Sequence, residues 1–155
     1  MKMKMKDILI LGIFLVVVGF LATASAAQDV NINNVRLNVL DGFNQIESDV
    51  DSTHMDEDGL DTEDINGTVV DNKVTLEYMN GNGDKLELTV GVLNGKNIQS
   101  LNAYGYAKKS IAGKDGYFKT EMDDGRGQYK FQYLQDGKLV KVEAPTEADI
   151  SKVMG

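Results

Sequence analysis

The 155-residue chain contains no cysteine, no tryptophan, one histidine and one proline. Without cysteine there is no disulfide framework, zinc finger, thiol nucleophile or lipid-modified cysteine anchor, so the fold rests on its core. A domain of this size buries roughly two-thirds of the surface its unfolded chain exposes, which is enough to hold one. The lone histidine, His54, excludes Ser-His-Asp and Cys-His catalysis in their usual settings and any two-histidine metal site. Neighbouring carboxylates favour its charged form, which is the chemistry of a pH sensor, although a spectator role is the better reading. The missing tryptophan removes the usual aromatic wall of a glycosidase cleft, and two suitably spaced carboxylates alone do not make one. Basic charge is also short: 16 Lys and Arg stand against 24 Asp and Glu, a net −8 that disfavours nucleic-acid binding. At 42% apolar and 26% charged residues the chain reads as a globular domain rather than a disordered polymer.

The amino terminus has the order of a secretory signal. Lys2, Lys4 and Lys6 precede an apolar run from Ile8 to Ala22, and small residues follow to Ala26. Ala24 and Ala26 suit a signal peptidase, which places the cut after Ala26. The alternative is an uncleaved anchor, because the run extended through Ala26 approaches the ~20 residues that span a bilayer. Both place the remainder, one domain over residues 27–155, outside the cytoplasmic membrane. Its acidity is uneven: residues 27–99 carry 4 basic and 15 acidic side chains.

Alternation marks the strands. Val35, Leu37 and Val39 alternate with Arg36 and Asn38, and Asp41-Gly42 ends that run. Val74, Leu76 and Tyr78, then Leu86, Leu88 and Val90, flank the glycine- and asparagine-rich string Asn80–Asp84, a hairpin. Ile98, Leu101, Tyr104 and Ala107 recur at helical spacing behind a capping Asn97, which predicts a middle helix over 97–109 weakened by Gly105. Residues 116–122 read as a strand, 123–127 as a turn, and Tyr129, Phe131 and Tyr133 as one face of the next strand. Asp136-Gly137 turns the chain into Leu139–Ala144. Pro145 then breaks the sheet, Thr146 caps a last helix with Asp149 bonding back, and Ile150 and Val153 face the core. The expected fold is α+β: an antiparallel meander of five or six strands, one face covered by the middle and C-terminal helices.

The segment 47–66 holds nine carboxylates and few apolar residues, so it reads as a solvated acidic loop. Within it Asp56, Asp58, Asp61, Glu63 and Asp64 surround Gly59 and offer oxygen ligands of the kind calcium takes. The string resembles a fragment of aspartate-rich calcium repeats but departs from them. With Asp58 and Gly59 at loop positions five and six, His54 stands at position one and Ile65 at twelve, where carboxylates belong. The loop is therefore read first as solubilising charge and second as a calcium site. Asn66-Gly67-Thr68 is an N-glycosylation triplet at the loop's end. Tyr129, Phe131 and Tyr133 are read as core rather than a ligand groove. Gly81-Asn82-Gly83 and Gly125-Arg126-Gly127 lack what a phosphate loop requires and are turns.

Ile111–Tyr117, Tyr129–Tyr133 and Asp136–Val140, together with Asp41-Gly42-Phe43 and the hairpin 73–90, make most of residues 27–155 resemble a group of small exported, functionally uncharacterised proteins of methanogenic archaea. The acidic segment falls outside that pattern. The resemblance implies an extracytoplasmic α+β domain of an archaeal envelope, with no reaction attached. The expected function is that of a non-catalytic binding or structural module with an envelope or extracellular partner and no cofactor. The membrane is met only through the signal, if it is retained. The rivals are a calcium-dependent module and a carboxylate hydrolase, the latter requiring a buried pair of acids in a pocket.

Overall fold

The computed structural model describes residues 28–51, 70–93 and 105–155. The strands are β1 (Gln28–Ile32), β2 (Val35–Val39), β3 (Asn44–Asp51), β4 (Val70–Met79), β5 (Lys85–Leu93), β6 (Ala107–Ile111), β7 (Lys114–Asp123), β8 (Arg126–Gln135) and β9 (Lys138–Ala144). One helix follows, α1 (Glu147–Met154). β1 and β2 form a two-stranded sheet, and the other seven form an antiparallel sheet in the order β3-β4-β5-β9-β8-β7-β6. β9 therefore lies centrally, between two groups that arrive earlier in the chain. No helix among the described residues is long and apolar enough to cross a membrane.

Period-two alternation sends one set of side chains to each face. Leu76, Leu88, Val142, Phe131 and Phe118 are successive cross-strand partners on the inner face, from β4 to β7. Over this face lie the β1–β2 hairpin and α1, which bring Ile32, Val35, Leu37, Val39, Ile150 and Val153 into the same core. Asn33 Nδ2 donates to Asn72 O at 2.7 Å and to Val90 O at 3.3 Å, and Asn38 Nδ2 donates to Lys152 O at 2.9 Å, so the covering layer is tied down by directed bonds as well. An eight-residue helix is too short to stand alone in water. Burial of Ile150 and Val153, worth roughly 1.5–3 kcal/mol each, and the Thr146 cap, whose Oγ1 accepts from Asp149 N at 3.1 Å, hold it in place.

The antiparallel sheet, its hairpins and the capped final helix match the pattern read from sequence, but the overall α+β assignment is corrected. The described fold is mostly β, with nine strands in two sheets and one short helix. Ala107, Lys108 and Lys109, assigned above to the middle helix, lie in β6 and pair with β7. Two backbone features oppose a helix there. Gly105 sits at φ +81, and Ala112 and Gly113, at φ +49 and +74, fold β6 back onto β7 in a two-residue turn. Asn97–Tyr104 lie outside the described residues. The acidic stretch is also corrected at its start, because Glu47–Asp51 form the paired end of β3 rather than loop. An edge strand needs only one neighbour and tolerates charge that a central strand does not.

Ala112 is the strained member of its turn, since a left-handed conformation costs an L-residue roughly 1–2 kcal/mol. Ala112→Gly is expected to raise stability by ~1 kcal/mol in urea denaturation. An unchanged midpoint would contradict the turn geometry.

Candidate functional site

The outer face of the sheet carries the polar residues, and its register produces an unusual row. Glu47 pairs with Glu77, Glu77 with Glu87, Glu87 with Glu143, Glu143 with Lys130, and Lys130 with Lys119. Four glutamates on adjacent strands thus stand directly opposite one another. Each like-charged pair costs a few tenths of a kcal/mol or more at neutral pH. Part of the charge is offset from the neighbouring positions. Lys141 Nζ reaches Glu87 Oε1 at 2.8 Å and Glu143 Oε1 at 2.9 Å, while Lys130 Nζ reaches Glu143 Oε1 at 3.4 Å and Glu121 Oε2 at 3.0 Å. Lys119 pairs with Glu121 as well. Lys141 and Glu143 are only 6% and 8% exposed, so this network is largely desolvated where it crosses β9.

β9 ends at Ala144, before Pro145, whereas β5 and β8 run on past it. The space this leaves is a groove of about 280 Å³ between the β4–β5 and β7–β8 hairpins. Glu77, Glu87, Glu143, Glu121 and Asp123 line it, against Lys85 and Lys130. The two hairpins clasp across its open end. Arg126 Nη1 donates to Asn82 O at 2.8 Å and to Asp84 Oδ1 at 3.2 Å, and Lys85 lies 3.8 Å from Asp123. The β4–β5 turn is shaped for this by Asn80, whose Oδ1 accepts from the backbone of both Asn82 and Asp84 at 2.9 Å.

The environments of these acids diverge. Burial, with Glu87 adding to it, pushes the Glu143 carboxyl above its ordinary 4.5 despite Lys141 and Lys130. Glu77 is raised as well, by burial first and then by Glu87 and Glu47 on either side. Glu121 is lowered, mainly by the hydrogen bond from Lys119 and then by Lys130. Farther along the same face Gln132 is fully buried. Its Nε2 donates to Tyr106 Oη at 3.0 Å, and its Oε1 has no hydrogen-bond partner among the described residues.

The signal 1–26, His54, the calcium ligands Asp56, Asp58, Asp61, Glu63 and Asp64, and Asn66 all lie outside the described residues. Among the described residues no group of three or more His, Asp or Glu side chains is arranged to hold a metal ion. Phe131 and Tyr133 stack at 5.7 Å in the core, and Phe118 lies 6.0 Å from Tyr129, consistent with packing rather than a groove. The groove residues were visible as the polar halves of alternating strands. That Glu47, Glu77, Glu87 and Glu143 share one row is a property of register across separate hairpins.

No family model matches the chain, and neither does any curated protein or solved structure. The chemistry of the site is therefore read from its own residues.

Proposed function

We propose that this chain acts outside the cytoplasmic membrane as a non-catalytic binding module, and that the groove beyond β9 takes a cationic ligand bearing ammonium or guanidinium groups. The basic, apolar and small-residue order of the amino terminus supports export. The row Glu47-Glu77-Glu87-Glu143 carries the binding reading. Opposed carboxylates are held together at a cost in stability, and among the described residues five acids face two lysines in the groove. An incoming cation relieves that repulsion, so the charge that costs stability in the free protein becomes affinity in the complex.

The test is a titration with spermidine, and in parallel with a trilysine peptide, followed by amide chemical shifts at low salt. Shifts are expected on β4, β5 and β9 around the groove. Glu77→Gln should weaken binding roughly five-fold, about 1 kcal/mol for one charge at close range. Shifts scattered over the surface, or an affinity indifferent to Glu77, would overturn the proposal.

One observation favours a second reading. Glu143, raised, and Glu121, lowered, share the groove, and carboxylates pushed apart in this way serve as acid and base in hydrolases. Hydrolysis of a glycoside that is lost in both Glu143→Gln and Glu121→Gln would select it over simple binding.

A further inference from the structure

The two edges of the seven-stranded sheet carry opposite charge and match one another in length, direction and register. At one edge, β3 is interrupted by a bulge between Gln45 and Glu47, after which Glu47–Asp51 pair regularly with β4 over five residues. At the other edge, β6 pairs regularly with β7 over five residues, Ala107–Ile111. Glu47 and Asp49 are exposed on the first, and Lys108 is exposed on the second. None of these three makes an ion pair among the described residues, whereas the neighbouring Lys109 is engaged by Glu147 at 2.6 Å. Because every pairing between β3 and β6 is antiparallel and there are six of them, the two edge strands run in the same direction.

Register adds the decisive detail. Asp49 pairs with Thr75, Thr75 with Thr89, Thr89 with Lys141, Lys141 with Gln132, Gln132 with Tyr117, and Tyr117 with Lys108. One unbroken row therefore ends in an aspartate at one edge and a lysine at the other. Placing a second copy so that the sheet continues, advanced across it and rotated by the accumulated strand twist, brings its Lys108 next to Asp49 on the same face. The alternatives are two-fold pairings of β3 with β3 or β6 with β6, which set like charges against each other.

We infer that copies of this chain associate head to tail, β6 of one adding to β3 of the next as a parallel strand, with Lys108 against Asp49 and Glu47. Charged edge strands ordinarily prevent sheet-to-sheet association. Here the two signs forbid like edges from meeting and permit unlike ones. The contact is heterologous, so it propagates instead of closing at a dimer, and the strand twist makes the product a twisted ribbon. This inference stands independently of the cationic ligand.

The test uses the full chain produced in an exporting host, purified as that host processes it, and followed by sedimentation velocity. At about 10 mM salt, where charges act over ~30 Å, a concentration-dependent series of oligomers beyond the dimer is expected, and it should shrink to monomer near 1 M salt. Asp49→Lys sets lysine against lysine where the two edges would meet, and Lys108→Asp sets aspartate against aspartate, so each variant alone should remain monomeric. Their equimolar mixture should assemble again, as should the double variant. Circular dichroism checks that each variant folds. A monomer at every concentration, a closed dimer, assembly that persists in either single variant, or a mixture that stays monomeric would each overturn the inference.

Discussion

Lys141→Met is expected to destabilise the domain by roughly 3 kcal/mol at pH 7 and by less than about 1 kcal/mol near pH 4.5. Lys141 is 6% exposed, and its ammonium bridges Glu87 and Glu143. Methionine keeps most of the volume and removes the charge, leaving two carboxylates facing each other across β5 and β9. Removing one partner of a buried ion pair costs about 3–5 kcal/mol, because the remaining charge stays desolvated. Lys130, 3.4 Å from Glu143, and the partial exposure of Glu87 bring the figure toward the lower end. The pH dependence follows from the direction of the shifts. Glu143 already lies above 4.5 in the folded chain, and losing Lys141 raises it further. A carboxyl raised on folding contributes stability that is complete below its unfolded pKa and is lost as pH rises through its folded one. Acid should therefore restore the variant. Urea denaturation at both pH values measures this. Adding Glu143→Gln to Lys141→Met should recover much of the loss at pH 7, and a loss equal at both pH values would show that packing dominates instead.

Gly116→Ala is expected to cost about 3 kcal/mol or more, for a reason unrelated to charge. Gly116 does not lie at positive φ, so an alanine fits its backbone conformation. It has no room for the side chain: a Cβ there meets Gln132 O at 2.4 Å and two carbons of the Phe131 ring at 2.7 and 2.9 Å. Phe131 is fully buried and lies against Tyr133 in the centre of the core. Overpacking at such a position typically costs 1–3 kcal/mol, and a backbone carbonyl yields less than a side-chain tip does. Shortening the ring by Phe131→Leu in the same chain should not restore stability, since the contact with Gln132 O remains. Gly137→Ala provides the contrast. Its Cβ meets nothing within 4 Å, so only the left-handed φ of +74 resists, at ~1 kcal/mol. A Gly116→Ala variant as stable as Gly137→Ala would contradict the close approach of β7 to Phe131.

Much of the fold was legible because alternation and turn chemistry are local. Asp136-Gly137 and Asp123–Gly127 marked hairpins that the structure contains, and Thr146 caps the helix that Pro145 introduces. The end of the expected middle helix, Ala107–Lys109, misled because it continues the helical spacing of Leu101 and Tyr104. The decision for Ala107–Ile111 came from pairing with Lys114–Phe118 through the Ala112-Gly113 turn. Ala112 is a poor sequence signal for positive φ, so that turn was silent. β3 was hidden by its charge: Glu47 and Asp49 resemble loop residues, and only their place at an edge makes them strand. The groove was illegible for a different reason. Glu77, Glu87 and Glu143 each look like an ordinary solvent-facing residue, and their alignment depends on β9 inserting between β5 and β8, a pairing that no single hairpin encodes.

The most direct test of the central claim is a carbon-detected titration of the glutamate side-chain carboxyls, with and without spermidine. Glu77 and Glu143 should titrate above 4.5 and Glu121 below it, and spermidine should pull Glu77 down. Three carboxyls titrating together near 4.5, unmoved by the cation, would contradict both the row of opposed glutamates and the binding site built on it.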